Sequence, residues 1–156
     1  MKTYIKNLYF LALIAAVITF SHCGGGDEPG PDQKTAAEEQ LERISASYNL
    51  VSVSQDGTDV TGDYTGFTLT MSGSLTANEE NVNGTYSSTN GGQVFPASGS
   101  WAFAPANVNS QIVLDNDLTV NYSFSGNNLV LVYTFTAPGG RVQVLNGQYR
   151  WELSPQ

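Results

Sequence analysis

Leu118-Thr119-Val120-Asn121-Tyr122-Ser123-Phe124-Ser125-Gly126-Asn127-Asn128-Leu129-Val130-Leu131-Val132-Tyr133-Thr134-Phe135 decides the fold. From Val120 to Phe124, apolar and aromatic residues alternate with Asn and Ser, the period of two that a half-buried strand requires. Asn127-Asn128 reads as a turn, because Asn tolerates positive φ. The run 129–135 is apolar on both faces. Such a strand is central or covered, and a helix near the N-terminus is the candidate cover.

The same pattern extends outward in both directions. Strands are predicted at about 48–54, 66–71, 83–88, 98–104, 110–114, 117–125, 128–136 and 147–153. Clusters of Gly, Asn, Asp and Ser separate them, with Asp56-Gly57 and Asn146-Gly147 as further turns. Even spacing and frequent turns argue for an all-β barrel or sandwich. One helix precedes them, about Ala36 to Ala46. Thr35 with Glu38 three residues on is a capping-box pattern. Ala37, Leu41, Ile44 and Tyr48 make one apolar stripe, for packing on the domain or for a partner.

Four strands carry an aromatic pair at i and i+2: Trp101 with Phe103, Tyr122 with Phe124, Tyr133 with Phe135, and Tyr149 with Trp151. Alternation sets each pair on one face of its strand. If the pairs share an inner face, they form a filled core or line a pocket for a small apolar or glycan ligand. Tyrosine suits a pocket because it offers both a ring and a hydroxyl. Trp101, Phe103, Tyr122, Tyr133, Tyr149 and Trp151 are the candidate ligand contacts. Pairs facing outward would instead make a glycan-binding or protein-binding surface.

The N-terminus has a different character. Lys2 and Lys6 precede an apolar run from Leu8 to Phe20, then Ser21-His22-Cys23 and Gly24-Gly25-Gly26-Asp27-Glu28. The apolar run is shorter than the ~20 residues of a membrane-spanning helix. Its order of basic start, apolar core and processing site is that of a secretory signal. It resembles a bacterial lipoprotein signal peptide over residues 1–22, with Cys23 as the lipidated first residue of the mature chain. Phe20, Ser21 and His22 at −3 to −1 resemble the looser lipobox of the Bacteroidetes. Asp27 and Glu28 resemble the acidic mark for export to the outer face of the outer membrane. Residues 23–34, rich in Gly, Pro and acid, read as a flexible tether, and 35–156 as the barrel domain.

Charge and composition exclude several functions. The whole chain has a net charge of −8. Loss of residues 1–22 leaves Lys34, Arg43, Arg141 and Arg150 against 14 carboxylates, near −10. No basic patch exists for phosphates, so nucleic acid is not a partner. His22 is the only histidine and Cys23 the only cysteine. A processed chain therefore has no imidazole and no free thiol, which removes histidine triads, thiol nucleophiles and the usual zinc sites. No cofactor or metal is expected, and the domain reads as non-catalytic. A carboxylate-pair glycosidase is the one enzyme class still formally open.

The acidic stretches read as turns. Asp56, Asp59 and Asp63 could supply oxygens to calcium, although their spacing is not that of an EF-hand and turn chemistry explains them equally well. Asp115-Asn116-Asp117 reads as a hairpin turn and Glu79-Glu80 as a solvated loop. Arg141 and Arg150 are placed on the surface, to pair with acids or meet an anionic ligand.

Several stretches together carry a resemblance. Ser47-Tyr48-Asn49-Leu50-Val51-Ser52-Val53, Asp56-Gly57-Thr58-Asp59-Val60-Thr61 and Gly66-Phe67-Thr68-Leu69-Thr70-Met71 look like the start of small lipocalin-like lipoprotein domains of the Bacteroidetes. Gly99-Ser100-Trp101-Ala102-Phe103 and Gly147-Gln148-Tyr149-Arg150-Trp151-Glu152-Leu153 are similar to their middle and end. Members often begin Gly-x-Trp; Ala46 and Tyr48 hold those places here. The resemblance covers about 44–154 and implies an eight-stranded antiparallel up-and-down barrel with one short N-terminal helix. It carries no ligand or functional residue with it.

Two functions follow as expectations. One is a membrane-anchored binding module for a small apolar or glycan ligand. The other is an accessory subunit docking on an outer-membrane complex, with a filled barrel. Either would sit in the outer membrane through the lipid on Cys23, on the periplasmic or, preferably, the cell-surface side.

Overall fold

The computed structural model describes residues 34–78, 81–115, 117–138 and 143–156. The signal segment, Cys23, the tether up to residue 33, Glu79-Glu80, Asn116 and Arg141 lie outside the described residues. Helix α1 spans Ala36–Ile44. The strands are β1 Ser47–Gln55, β2 Thr58–Asp59, β3 Thr68–Leu75, β4 Val82–Thr89, β5 Ser98–Phe103, β6 Gln111–Leu114, β7 Thr119–Ser125, β8 Asn128–Phe135 and β9 Gly147–Pro155. Each of β3 to β9 pairs with its sequence neighbour, and β1 pairs with both β3 and β9. Every pairing is antiparallel, so β1 and β3–β9 close an eight-stranded up-and-down barrel. The two-residue β2 folds back on the end of β1.

All eight predicted strands are present, and the barrel is chosen over the sandwich. The Asp56-Gly57 turn has φ values of 49° and 82°, as a two-residue type I′ hairpin requires. The β7–β8 turn sits one residue earlier than predicted. Ser125 pairs with Asn128, so Gly126 and Asn127 are the loop. Gly126 takes φ 61°, and glycine at the first central position is the type II′ solution. Asn146 does not form a tight hairpin, because a short 3₁₀ turn at Gln143–Leu145 leads into β9. Its side chain instead accepts the Ala137 N–H at 2.7 Å.

Strand β1 departs from strict alternation. Tyr48 and Val53 are both buried, yet they are an odd number of residues apart. A bulge between Leu50 and Ser52 reconciles them: the extra residue, Val51, is pushed outward. Helix α1 ends at Ile44 rather than Ala46, and Tyr48 belongs to β1. The Tyr48 hydroxyl nevertheless returns to the helix, donating to the Ile44 carbonyl at 3.1 Å. As predicted, Thr35 Oγ1 accepts the Glu38 N–H at 3.1 Å.

The core fills the barrel. α1 lies across the end where β1 begins, with Ala37, Gln40 and Ile44 buried. This helix end is also where Arg43 stacks on Phe124, 4.1 Å from the ring centre. The helix therefore covers an end, not the outer face of β8. On that face Val130 lies opposite Ser123 and Glu152 of the flanking strands. The opposite, loop end is closed by Tyr64 and Phe67 before β3 and by Val94 and Phe95 before β5, all buried.

Candidate functional site

The six candidate ligand residues all point inward. Trp101, Phe103, Tyr122, Tyr133, Tyr149 and Trp151 are each at most 3% exposed. The four aromatic pairs share the inner face, though Phe124 and Phe135, near opposite ends, are only half-buried.

Their polar atoms are mostly engaged within the protein. The Tyr133 hydroxyl donates to the Val94 carbonyl and that of Tyr149 to the Leu145 carbonyl, both at 3.0 Å. The Tyr122 hydroxyl reaches the Val108 carbonyl, with Gln40 Oε1 at 3.3 Å. Trp101 Nε1 donates to the carbonyls of Ser72 and Thr85 at 3.1 and 3.2 Å. It gets there by crossing Gly84: a Cβ on that residue would stand 2.3 Å from the indole. Only glycine permits that approach inside a strand.

The rings occupy the remaining space. Phe67, Tyr64 and Phe95 lie 4.5, 4.8 and 5.5 Å from Trp151, centre to centre. Phe95 is 6.0 Å from Tyr133, and Tyr133 stacks on Tyr149 at 6.2 Å. These are the offset and edge-on separations that aromatic pairs prefer.

Among the described residues one buried side-chain polar atom is unpaired. Trp151 Nε1 has no hydrogen-bond partner, although its N–H lies near enough to the Tyr133 phenol to ease that group's ionisation. Burial is the larger effect and pushes the Tyr133 pKa well up. Burial also raises Tyr48 to about 12. It raises Tyr86 to about 12 with help from the nearby Asp115 charge, and Tyr122 to about 12 against the pull of Arg43. Tyr64 is raised as well, by burial and then by Tyr149.

Open space lies on the outside. A cleft of about 570 Å³ runs between the start of α1 and Asn81, Pro105 and Val108. A second, about 500 Å³, lies at the loop end among Val94, Phe95, Asp117, Leu118, Phe135 and Pro138. Of the six candidates, Trp101 borders a groove of about 400 Å³ over β4–β6.

The acidic residues act as turn formers. Asp59 Oδ1 accepts the Thr61 N–H at 2.9 Å and the Thr61 hydroxyl at 2.6 Å, which holds its pKa below the ordinary range. Asp56 Oδ1 accepts the Gln148 N–H at 2.8 Å. Asp115 Oδ2 accepts the Ser100 N–H at 3.1 Å, and the Tyr86 hydroxyl reaches Oδ1 at 3.5 Å. Arg150 lies on the surface, paired with Glu152 at 3.1 Å. Among the described residues no group of three or more His, Cys, Asp or Glu side chains converges as a metal site would need. None of the described helices is long and apolar enough to cross a membrane.

Sequence reasoning missed the plug residues Tyr64, Val94 and Phe95, which lie in connections with no periodicity; Phe67 falls in the predicted strand 66–71 but precedes β3 in the structure. It also missed Gly84, whose only signal is a glycine inside a strand pattern. Comparisons with protein-family models, curated proteins and solved structures find no match to this chain.

Proposed function

We propose that this chain is a lipid-anchored extracytoplasmic lipoprotein of the lipocalin-like Bacteroidetes kind, and that its barrel is a non-catalytic module acting through its outer surface. In that role it would serve as an accessory or interaction subunit at the outer membrane, tethered through Cys23. The observation that carries the choice is the filled interior. The six aromatic residues able to hold a ligand are buried against one another, and four of the five hydrogen-bonding groups among them are engaged inside the protein.

One observation favours a second reading. Buried polar groups are ordinarily paired, and the solitary Trp151 N–H would suit a small hydrogen-bond acceptor admitted to the barrel. Such a ligand, apolar or glycan with one acceptor, makes the chain a carrier instead.

Native mass spectrometry of the full chain in detergent, with pooled fatty acids and oligosaccharides, separates the two. A bare protein mass, together with cross-linking on intact cells to one recurring outer-membrane protein, supports the surface module. A discrete adduct that survives dilution overturns it in favour of the carrier. Palmitate labelling lost on Cys23→Ser tests the anchor.

A further inference from the structure

Asn-Gly occurs three times in the chain, at Asn83-Gly84, Asn90-Gly91 and Asn146-Gly147. The dipeptide is chemically labile, because glycine has no side chain to keep its nitrogen away from the asparagine carboxamide. The fold treats the three differently. Asn83 lies inside β4 opposite Ser74, and Gly84 is paired with both Gly73 and Trp101. Asn146 is half-buried, its side-chain oxygen holds the Ala137 N–H at 2.7 Å, and Gly147 is paired with Phe135. Asn90 and Gly91 both stand outside the strands, in the β4–β5 connection, and Asn90 is exposed. The Gly91 N–H donates to no group among the described residues.

Packing dictates both residues at this place. Asn90 has φ 56°, a left-handed conformation that Asn tolerates better than most residues. Its Nδ2 donates to the carbonyls of Gly66 and Thr65 at 3.1 and 3.4 Å. A Cβ on Gly66 would stand 3.0 Å from that nitrogen, so glycine there makes room for the amide. A Cβ on Gly91 would stand 2.7 Å from the Phe95 carbonyl oxygen and 2.8 Å from the Phe95 Cβ. The Gly91 carbonyl in turn accepts the Phe95 N–H at 3.1 Å. The Asn90 amide thus ties the connection that carries Phe67 to the one that carries Phe95. Those two rings meet at 5.3 Å, and both pack on Trp151.

We infer that Asn90 is a site of self-modification, and that its conversion releases the latch between the two connections of the plug. The Gly91 nitrogen bonds to Asn90 Cγ, the Cγ–Nδ2 bond breaks, and Nδ2 leaves as ammonia with the Gly91 proton. Water then opens the resulting succinimide at either carbonyl, giving aspartate or isoaspartate. The amide must first leave the Thr65 and Gly66 carbonyls, an excursion that an exposed connection makes far more often than a paired strand. Either product replaces the amide by a carboxylate, which only accepts hydrogen bonds and cannot bond to those two carbonyls. Isoaspartate also adds a methylene to the backbone beside Gly91, where Phe95 leaves no room. The inference goes beyond the reading of the barrel as a surface module and does not depend on it.

The test incubates the full chain in detergent at mildly alkaline pH, below the range in which its tyrosines titrate, and follows the three Asn-Gly sites by peptide mass mapping. Asn90 should convert about ten-fold or more faster than Asn83 or Asn146, with isoaspartate among its products, because the other two must open locally first. Equal rates at the three sites, faster conversion at Asn83 or Asn146, or no conversion at Asn90 overturns the assignment. Asn90→Asp makes one converted form directly. It should raise hydrogen exchange in residues 64–67 and 94–95 about five-fold or more and leave β8 and β9 unchanged. The aged chain, separated from the fresh one by its added negative charge, gives the same readout without any substitution. Unchanged exchange at 64–67 in both forms overturns the latch, as does a loss of protection spread over the whole barrel.

Discussion

At the helix end, the barrel is closed by one local element. Ala37, Gln40 and Ile44 lie on consecutive turns of α1, and the Gln40 amide oxygen meets the Tyr122 hydroxyl beneath it. At the loop end, closure comes from Tyr64, Phe67 and Phe95, drawn from two separate connections and gathered around Trp151. The first closure is a cap whose shape α1 sets by itself. The second is a cluster of rings that exists only once the strands are in register. Local closure gains from helix propensity and capping. Non-local closure depends on packing, where rings bury the largest areas.

The largest effect should come from alkali, which acts on both ends together. Tyr48 and Tyr122 near the helix and Tyr86 below the loops hold their protons up to about pH 12 in the folded barrel. An unfolded tyrosine loses its proton near pH 10. Between those values the unfolded chain has fewer bound protons than the folded one, so stability falls as pH rises. Urea midpoints measured from pH 9 to pH 11, with tyrosinate absorbance, should drop together. If Tyr48→Phe alone abolishes the drop, the helix end carries the dependence and the two ends are not alike in it.

Single deletions compare the ends directly. Trp151→Ala removes the centre of the ring cluster and should cost about 3–5 kcal/mol of unfolding free energy. Ile44→Ala removes one aliphatic side chain under the cap and should cost about 2–3 kcal/mol, the lower part of its range. Chemical denaturation decides this. A larger loss at Ile44 would make the helix, not the ring cluster, the more strongly held closure.

The smallest effect belongs to the cap. Thr35→Ala removes the acceptor for the Glu38 N–H and should cost about 1 kcal/mol. Hydrogen exchange sharpens the comparison. Protection should fall in α1 and stay unchanged in β8 and β9, because a local element can fray without opening the barrel.

The contrast also explains what was legible in the amino-acid sequence. The eight strands show through because alternation is imposed by a two-faced wall, and Trp101, Tyr122, Tyr133 and Trp151 obey it. The helix and its Thr35 cap show through because their rules are local. Strict alternation cannot accommodate the bulge at Val51, and an Asn-Asn pair conceals the turn that Gly126 actually makes. Most of the loop plug has no local signature, since Tyr64 and Phe95 are selected by rings far away in the chain; Phe67 alone keeps step with Leu69 and Met71. The candidate site was legible as a set of residues sharing one face. Whether that face holds a ligand or only itself depends on Tyr64, Phe67 and Phe95, and of these Tyr64 and Phe95 were the residues without a pattern.

The β1–β9 seam has a consequence for kinetics. It joins the two limits of the barrel: Gln156 reaches Asn49, 107 residues away, and its N–H meets the Ser47 carbonyl. Every other barrel pairing links strands that follow one another in the chain. Such a closure must bring distant segments together before it gains any contact, which costs loop entropy and slows folding. The barrel should therefore assemble as an open curl of hairpins and zip along this seam last. A permuted chain in which β9 runs directly into β1 would make the seam local and should reach the same barrel sooner.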